Sequence, residues 1–409
     1  MEMLKVQNFG PIKNGFNENE GFIEFKNVTL FIGNQGSGKS TIAKLFSTLS
    51  WIEKALVRKD FTEKFIMQYN RFKKQLAYQN LGNYLSDDTY IEYRGYAFCF
   101  IYENSQFTVT PTPVNAYYHF PKIMYVPAER NFVSSVDRPD LVKRLPLPLY
   151  TFMDEYEEAK QRINENIILP IGDTSFEYKK NNKKSFLVGA GFKIELLEAS
   201  SGFQSLVPLF IVTRHLSDII KNKVSENRKS LNREEEEKIR EEVEKLFENQ
   251  IVSEDVMRVV LSKISSRYKY ECFINIVEEP EQNLFPESQK AVLFELLRYK
   301  NENSNNKLII TTHSPYLINY ISIAIQADYL KARIMESEAS AVLIARLSEI
   351  ISLEATVMQA NTVVYELKDG NILKLPNPDG IPSDKNYLNQ QLAECNKLFD
   401  ALLEIEQEL

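Results

Sequence analysis

Three short runs of apolar residues open the chain and predict β-strands. Residues 3–6 and 21–25 alternate apolar and polar positions, whereas residues 28–32 are continuously apolar apart from one threonine. A glycine-rich segment, residues 33–41, follows, and residues 42–46 then show the apolar spacing of a helix. Strand, glycine loop and helix in this order form the context that a phosphate loop requires.

Further along, helical and strand patterns alternate up to the middle of the chain. A basic helical pattern covers residues 51–79, and a helix with Pro146 and Pro148 near its start runs to about residue 165. Strand patterns occupy residues 89–110 and 123–126. A hairpin is predicted from residues 175–178 and 185–188, joined by the polar turn 179–184.

The second half of the chain continues this mixture. A helix begins near Phe203 and leads into a highly charged helical arm over residues 222–249. Strands are predicted at residues 272–277, 307–311, 363–367 and 372–375, and a helix at residues 385–408. We therefore predict an α/β fold in three segments: residues 1–131 with the glycine loop, residues 132–269 with the charged arm, and residues 270–409 with the later strands.

Composition and charge narrow the class of protein. The 409 residues include 44% hydrophobic ones and carry a net charge of −7, which excludes a wholly disordered chain and a generally basic nucleic-acid coat. A local basic groove stays open, formed by the basic positions of residues 54–74 and 179–184. No long uncharged apolar run and no signal-peptide pattern occur, so we expect a cytoplasmic protein without membrane spans. Cys99, Cys272 and Cys395 lie far apart and predict neither a disulfide framework nor a metal site.

The glycine loop carries the strongest chemical signal. Gly33, Gly38, Lys39 and Ser40 fit the pattern G-x-x-x-x-G-K-[ST], in which backbone N–H groups surround phosphates. Lys39 would reach the β- and γ-phosphates, and the Ser40 hydroxyl would hold Mg²⁺. The alternative is a glycine turn that merely precedes a helix, and the flanking strand and helix favour the phosphate loop over it.

Two acidic residues and a histidine follow apolar strands later in the chain. Glu278 and Glu279 end the strand 272–277, and an extended chain would place them on opposite faces, one toward Mg²⁺ and one toward the attacking water. His313 follows the strand 307–311 at the end where α/β proteins bind ligands. A third segment, residues 198–205, starts a helix with Ser200 or Ser201 as its cap. The free N–H groups at such a helix start could bind a γ-phosphate, but taken alone the segment favours an ordinary helix start.

Four elements follow one another along the chain: the glycine loop, residues 198–205, the acidic pair and His313. In this order they resemble the ATP-binding-cassette ATPases, and more narrowly the SMC/RecF/OLD branch found in DNA maintenance and bacterial anti-phage systems. Residues 4–12, 125–131, 279–286 and 312–315 are similar to that branch's first strand, middle segment, D-loop and switch-histidine loop. The resemblance implies a P-loop ATPase head with a mixed central sheet, flanking helices and an inserted lobe of helices and a β-hairpin. It also implies ATP and Mg²⁺ as cofactors, and a homodimer or higher homo-oligomer in which two subunits enclose two ATP molecules.

The resemblance also implies roles for individual residues. Lys39, Glu279 and His313 would be catalytic, with Glu279 polarising the water and His313 sensing the γ-phosphate, while Ser40 and Glu278 hold the metal. Ser201, Gly202 and Gln204 would form the signature that contacts ATP bound to the partner. The nucleotide-binding set implied in one subunit or across the pair is Gly33, Asn34, Gln35, Gly36, Ser37, Gly38, Lys39, Ser40, Thr41, Arg130, Ser201, Gly202 and Gln204.

Several positions depart from the family pattern. Glu278 stands where Asp is usual, Phe203 where transport cassettes carry a second glycine, and Asn283 and Phe285 where many OLD-like proteins carry histidine. Fewer than a hundred residues follow His313, and they read as the cassette's own last elements. We therefore expect no Toprim nuclease domain in this chain, and a separately encoded effector.

These features predict an ATPase that acts as the sensor or regulatory subunit of a complex, with anti-phage defence as the best-fitting setting. One alternative is a RecF-like repair ATPase that binds duplex DNA through residues 54–74 and 179–184. Another is a scaffold that binds ATP with little turnover, an alternative that Glu278 in place of the usual Asp keeps open. A transporter subunit fits least because of the signature and the inserted helices.

Overall fold

Three β-sheets organise the chain, and the largest carries the predicted phosphate loop. The structure is a computed structural model that describes residues 1–112, 117–142, 144–223, 270–336 and 340–407. Apart from its first two residues, the predicted charged arm over residues 222–249 lies outside the described residues. The described strands are, in chain order, β1 (Met3–Phe9), β2 (Gly15–Phe16), β3 (Ile23–Glu24), β4 (Val28–Gly33), β5 (Leu85–Arg94), β6 (Phe98–Glu103), β7 (Gln106–Pro111), β8 (Pro121–Val126), β9 (Ile167–Ile168), β10 (Ser175–Lys179), β11 (Lys184–Gly189), β12 (Phe192–Glu195), β13 (Cys272–Glu278), β14 (Lys307–Thr311), β15 (Thr362–Lys368) and β16 (Asn371–Lys374).

Helices cover the sheets and connect their strands. The described helices are α1 (Lys39–Val57), α2 (Glu63–Ile66), α3 (Arg71–Tyr78), α4 (Phe132–Ser135), α5 (Leu147–Gln161), α6 (Ser201–Lys223), α7 (Pro286–Asn301), α8 (Pro315–Met335), α9 (Ser340–Ile350) and α10 (Tyr387–Gln407). The predicted helical stretch 51–79 is thus divided among α1, α2 and α3 rather than continuous. Among the described helices, none combines the length and apolarity needed to cross a bilayer.

The central sheet has seven strands in the order β2-β16-β15-β4-β14-β13-β8. All neighbouring pairs are parallel except the hairpin of β15 and β16, which turns at Asp369 and Gly370 as predicted. Because β4, β14 and β13 run parallel side by side, their carboxyl ends lie along one edge of the sheet. Residues that follow these three strands are therefore brought together at that edge.

Two hydrophobic cores lie on the two faces of this sheet. In β4, Val28, Leu30 and Ile32 belong to one core and Phe31 to the other, as the alternation of strand side chains requires. The first core contains α5, α6, α7 and α8; the second contains α1 and the antiparallel sheet β3-β1-β5-β6-β7. Burial on both faces explains why β4 and β13 read as nearly continuous apolar runs.

The inserted lobe contains the predicted hairpin. Strands β10 and β11 pair antiparallel from Ser175 opposite Val188 to Lys179 opposite Lys184. A further strand, β12, pairs with β11 and was not predicted, because its residues are mostly exposed and show no buried alternation. Together with β9 they form a four-stranded sheet beside α5 and α6.

The predicted fold class is confirmed. The chain has a P-loop α/β fold, with a mixed central sheet, flanking helices and an inserted lobe that contains a β-hairpin. Strands β2, β4 and β8 come from residues 1–131, and β13 to β16 from residues 270–409. These two predicted segments therefore build a single sheet together.

Candidate nucleotide-binding site

The phosphate loop joins β4 to α1 at the carboxyl edge of the central sheet. Asn34, Gln35 and Gly36 are exposed, Ser37 and Ser40 are partly buried, and Thr41 is buried in the first turn of α1. Gly38 precedes α1 with a φ of +104°, a conformation that side chains rarely adopt. A Cβ there would also lie 2.5 Å from the Ile12 side chain, so the motif's second glycine is required by the packing.

Lys39 folds back over this loop. Its Nζ donates hydrogen bonds to the carbonyl oxygens of Gly33, at 2.9 Å, and Asn34, at 2.8 Å. Burial lowers the pKa of Lys39 to about 8, while the charges of nearby acidic residues, Glu279 first, act in the opposite direction. The ammonium group is therefore still largely charged at pH 7, and it lies among the acidic side chains of the neighbouring strands.

Glu278 ends β13 as a buried carboxylate that is only partly satisfied. Its side chain Oε2 accepts one hydrogen bond, from the Ala128 N–H at 3.3 Å, and its Oε1 accepts none of acceptable geometry. The neighbouring Tyr125 hydroxyl also lacks a well-formed hydrogen bond. The pKa of Tyr125 is raised well above the usual value, by burial first and the Glu278 charge second. An unfilled carboxylate oxygen is the ligand type that Mg²⁺ prefers, so the residues present fit that ion.

Glu279 and His313 are brought together across two strands. His313 Nε2 lies 3.5 Å from Glu279 Oε1, and the interaction with His313 is the main cause of the lowered pKa of that carboxyl. The expectation of an extended chain here is wrong, because Glu279 has a φ of +44°. Its N–H still donates to the Thr311 carbonyl oxygen at 2.8 Å, a ladder bond that belongs to the pairing of Glu278 with Thr311.

Glu281 is a functional candidate that sequence reasoning missed. Its Oε1 accepts hydrogen bonds from the Thr312 hydroxyl, at 2.8 Å, and from the His313 backbone N–H, at 2.7 Å. Burial raises the pKa of this carboxyl, and its Oε2 has no hydrogen-bond partner. Glu281 thus positions the His313 loop. The only sequence feature that could have indicated Glu281 is its position two residues after Glu279.

Arg130 is held by backbone carbonyl groups of its own chain. It is fully buried, and its guanidinium donates to four carbonyl oxygens, those of Pro127, Ser205, Glu278 and Glu279. Burial lowers its pKa to about 10, so it is charged at neutral pH. All its nitrogens are engaged by the backbone. These contacts support a positioning role for Arg130 between the acidic loop and α6, and its nucleotide contact stays a prediction.

The three signature residues have different surroundings. Ser201 is exposed at the first residue of α6, where helical N–H groups lack partners within the helix. Gly202 is covered by the D-loop, since a Cβ there would meet the Asn283 carbonyl oxygen at 2.8 Å. The Gln204 amide donates to the carbonyl oxygens of Leu197, at 2.8 Å, and Leu196, at 3.4 Å, in its own chain. Among the described residues, no hydrogen bond joins these three to the phosphate loop of the same chain.

Comparisons with known proteins concern the fold. Neither a protein-family model nor a curated protein matches the chain. An SMC head domain from Thermotoga maritima is similar, with 13% identity and a TM-score of 0.35 over 91% of this chain and 97% of that chain. An Smc head domain with an extended coiled coil, bound to the C-terminal domain of ScpA derived from Pyrococcus furiosus, is 11% identical with a TM-score of 0.37 over 98% and 100%.

A dimeric ATP-binding cassette in a post-hydrolysis state, bound to ADP and Pi, is also similar. It is 11% identical, with a TM-score of 0.31 over 92% of this chain and 99% of that chain. These neighbours are of the predicted fold class.

Proposed function

We propose that this chain is an ATPase that binds Mg-ATP at the carboxyl edge of its central sheet. The observation that carries the proposal is the convergence there of Lys39, Glu278, Glu279 and the His313 loop, with one buried Glu278 oxygen that accepts no hydrogen bond of acceptable geometry. A phosphate loop in its full strand and helix context supplies the anion site. Either feature alone would be ordinary, and together they support phosphoryl chemistry.

Each residue would contribute by position and charge. The loop N–H groups and Lys39 would bind the β- and γ-phosphates, Lys39 exchanging its two carbonyl contacts for phosphate oxygens. Ser40 and Glu278 would hold Mg²⁺, which when bound supplies positive charge that neutralises the phosphates. Glu279 stays ionised because its pKa is lowered, and it would orient and polarise the attacking water with His313 beside it.

We further propose that two copies enclose two ATP molecules head to tail. Support comes from the exposed Ser201 at the start of α6, since a helix N-terminus favours an anion and the same-chain loop is not hydrogen-bonded to it. The contact to the partner's ATP would then be made by Ser201 and the first N–H groups of α6. Gly202 and Gln204 would support it from within the chain.

The first test measures mass by light scattering for the Glu279→Gln variant with and without Mg-ATP. Removal of the proton acceptor should trap the ATP-bound state, so we expect the mass to double only with Mg-ATP. The double variant that also carries Lys39→Ala is the control and should not respond. Phosphate release should fall on the order of 10²- to 10⁴-fold for Glu279→Gln. Equal release by the wild-type protein and Lys39→Ala would exclude hydrolysis.

A mixing experiment tests the head-to-tail arrangement. Lys39→Ala and Ser201→Arg should each be inactive alone, but a hybrid pair would contain one composite site with both native residues. An equimolar mixture should therefore recover up to roughly a quarter of the wild-type rate, as random pairing of symmetric subunits predicts. If the signature acted within its own chain, mixing would recover nothing.

A regulatory role with a separate effector, in anti-phage defence, is a finer proposal that the sequence resemblance supports. Its test is protection of a phage-sensitive host by this chain expressed with its neighbouring genes. We expect protection to require Lys39. Protection that survives Lys39→Ala would remove ATP from the mechanism.

The duplex-DNA alternative loses part of its basis in the structure. Lys54 and Arg58 of the basic stretch are buried, and Arg58 pairs with Asp60. In the hairpin turn, Lys184 pairs with Glu195. Retention on duplex DNA that falls steeply with salt would restore this alternative. The scaffold alternative predicts phosphate release no faster than that of Lys39→Ala.

A further inference from the structure

Helices α5 and α6 bring three metal-ligand side chains together in the inserted lobe. Glu155 and Glu158 stand three residues apart on α5 and so share a face, and His215 lies on α6. One potential ligand atom from each residue lies within 4.8 Å of the other two. The closest approach to the histidine is from Glu158, whose Oε1 lies 4.0 Å from His215 Nε2.

His215 is the member of this cluster that the surrounding packing leaves unsatisfied. Its side chain is only 7% exposed, and its Nε2 has no hydrogen-bond partner. Burying a polar nitrogen without a partner is costly, so such an atom indicates a missing ligand. Burial, followed by the Arg162 charge, lowers the pKa of His215, with Glu158 and Glu155 acting in the opposite direction.

Two cations already contact the carboxylates and would compete with a metal ion. Lys122 donates to Glu155 Oε1, and the ion pair is largely buried. Arg162 donates to Glu158 Oε1 at 2.6 Å, but both side chains of this pair are more than half exposed. Because exposed ion pairs contribute little, Arg162 can be displaced, whereas Glu155 can keep Lys122 on one oxygen and offer the other.

We propose that Glu155, Glu158 and His215 bind one divalent transition-metal ion of the Zn²⁺ class. An imidazole with carboxylates suits Zn²⁺ and Co²⁺, whereas Mg²⁺ and Ca²⁺ prefer oxygen ligands alone. Metal–ligand bonds of about 2.0–2.2 Å require the three groups to draw closer by small side-chain rotations. The bound ion would join α5 to α6, the helix whose first residue is Ser201.

The direct test uses the full chain after chelator treatment, without nucleotide. Zn²⁺ binding is measured by calorimetry, and Co²⁺ binding by its visible absorption. We expect one equivalent bound by the wild-type protein, and binding weakened at least tenfold in His215→Gln and in Glu158→Gln. His119→Gln is the matched control, because His119 pairs with Glu271 outside the cluster, and it should bind as the wild-type protein does. Circular dichroism checks that each variant is folded.

A second variant distinguishes a metal site from a network of ion pairs. Arg162→Gln removes the competing cation from Glu158 and should tighten Zn²⁺ binding roughly two- to fivefold. Equal binding by wild-type protein and both cluster variants, or no bound ion, would overturn the proposal, as would weaker binding by a folded Arg162→Gln variant. Lys39→Ala should bind Zn²⁺ normally, so failure of the proposed ATPase function and failure of this site are told apart.

Discussion

Glu53, near the carboxyl end of α1, and Glu278, at the end of β13, are two buried glutamates whose surroundings differ in one decisive respect. Glu53, on α1, accepts from the backbone N–H groups of Ala97 and Phe98 on Oε1 and from the Tyr93 hydroxyl on Oε2. Glu278 has a single donor on one oxygen and none on the other. Both are under 5% exposed. Burial alone therefore does not distinguish Glu278 from Glu53; the poorly satisfied oxygen at the carboxyl edge of the central sheet does.

The largest expected effect is on phosphate release, when the Glu278 carboxylate is replaced by an amide. Glu278→Gln should lower Mg²⁺-dependent phosphate release by about 100-fold or more, because a metal ligand is worth several kcal/mol of transition-state stabilisation. The free energy of unfolding should stay level or rise, since a partly unsatisfied carboxylate is removed. Glu53→Gln is the matched control and should change release less than about twofold. Equal losses in the two variants would mean that the contrast has no catalytic meaning.

The second effect appears in stability rather than turnover. Burial raises the pKa of Glu53 to about 7 from its ordinary 4.5, so the folded chain keeps a proton that the unfolded chain releases between these values. Stability from this group is therefore present below about pH 4.5 and lost as pH rises through 7. Between pH 5 and 8, wild-type protein should lose about 2 kcal/mol more unfolding free energy than Glu53→Gln. Urea unfolding at both pH values measures this; parallel losses would contradict it.

Glu281 is intermediate between Glu53 and Glu278 in how far its oxygens are hydrogen-bonded, and its substitution should have the smallest effect. One of its oxygens accepts two hydrogen bonds from the His313 loop, and the other accepts none. Glu281→Ala should lower the turnover number on the order of tenfold by releasing His313, with ATP affinity unchanged. Glu281→Gln keeps the acceptor and should restore most of the rate. A loss of rate equal in both variants would show that the charge, rather than the position of His313, matters.

Much of the site could be predicted because its residues directly follow apolar strands. The glycine loop after β4, the acidic pair after β13 and His313 after β14 each show a local pattern, and parallel strands place such ends at one edge. The same locality explains why the hairpin of β10 and β11 was predicted correctly. Local patterns also located β15 and β16 around their Asp-Gly turn.

What the sequence did not indicate depends on partners that lie far away along the chain. The positive φ of Glu279 occurs where β13 ends beside Thr311 of β14, and the role of Arg130 depends on carbonyl groups of three different segments. Lys54 looks like a solvated base in a basic helix, yet packing against Tyr270 and other buried groups encloses it. Such contacts leave no periodic signal in the residues themselves.

The position of β4 in the middle of the sheet has a consequence for how the protein folds. Its two neighbours, β14 and β15, come from residues 307–311 and 362–368, so both pairings join distant parts of the chain. During synthesis, the strand that carries the glycine loop must wait for both neighbours to emerge from the ribosome. Pairings of this kind slow folding and leave an unpaired apolar strand exposed meanwhile. Chaperone dependence during translation should accordingly be greatest before residue 368 has been made.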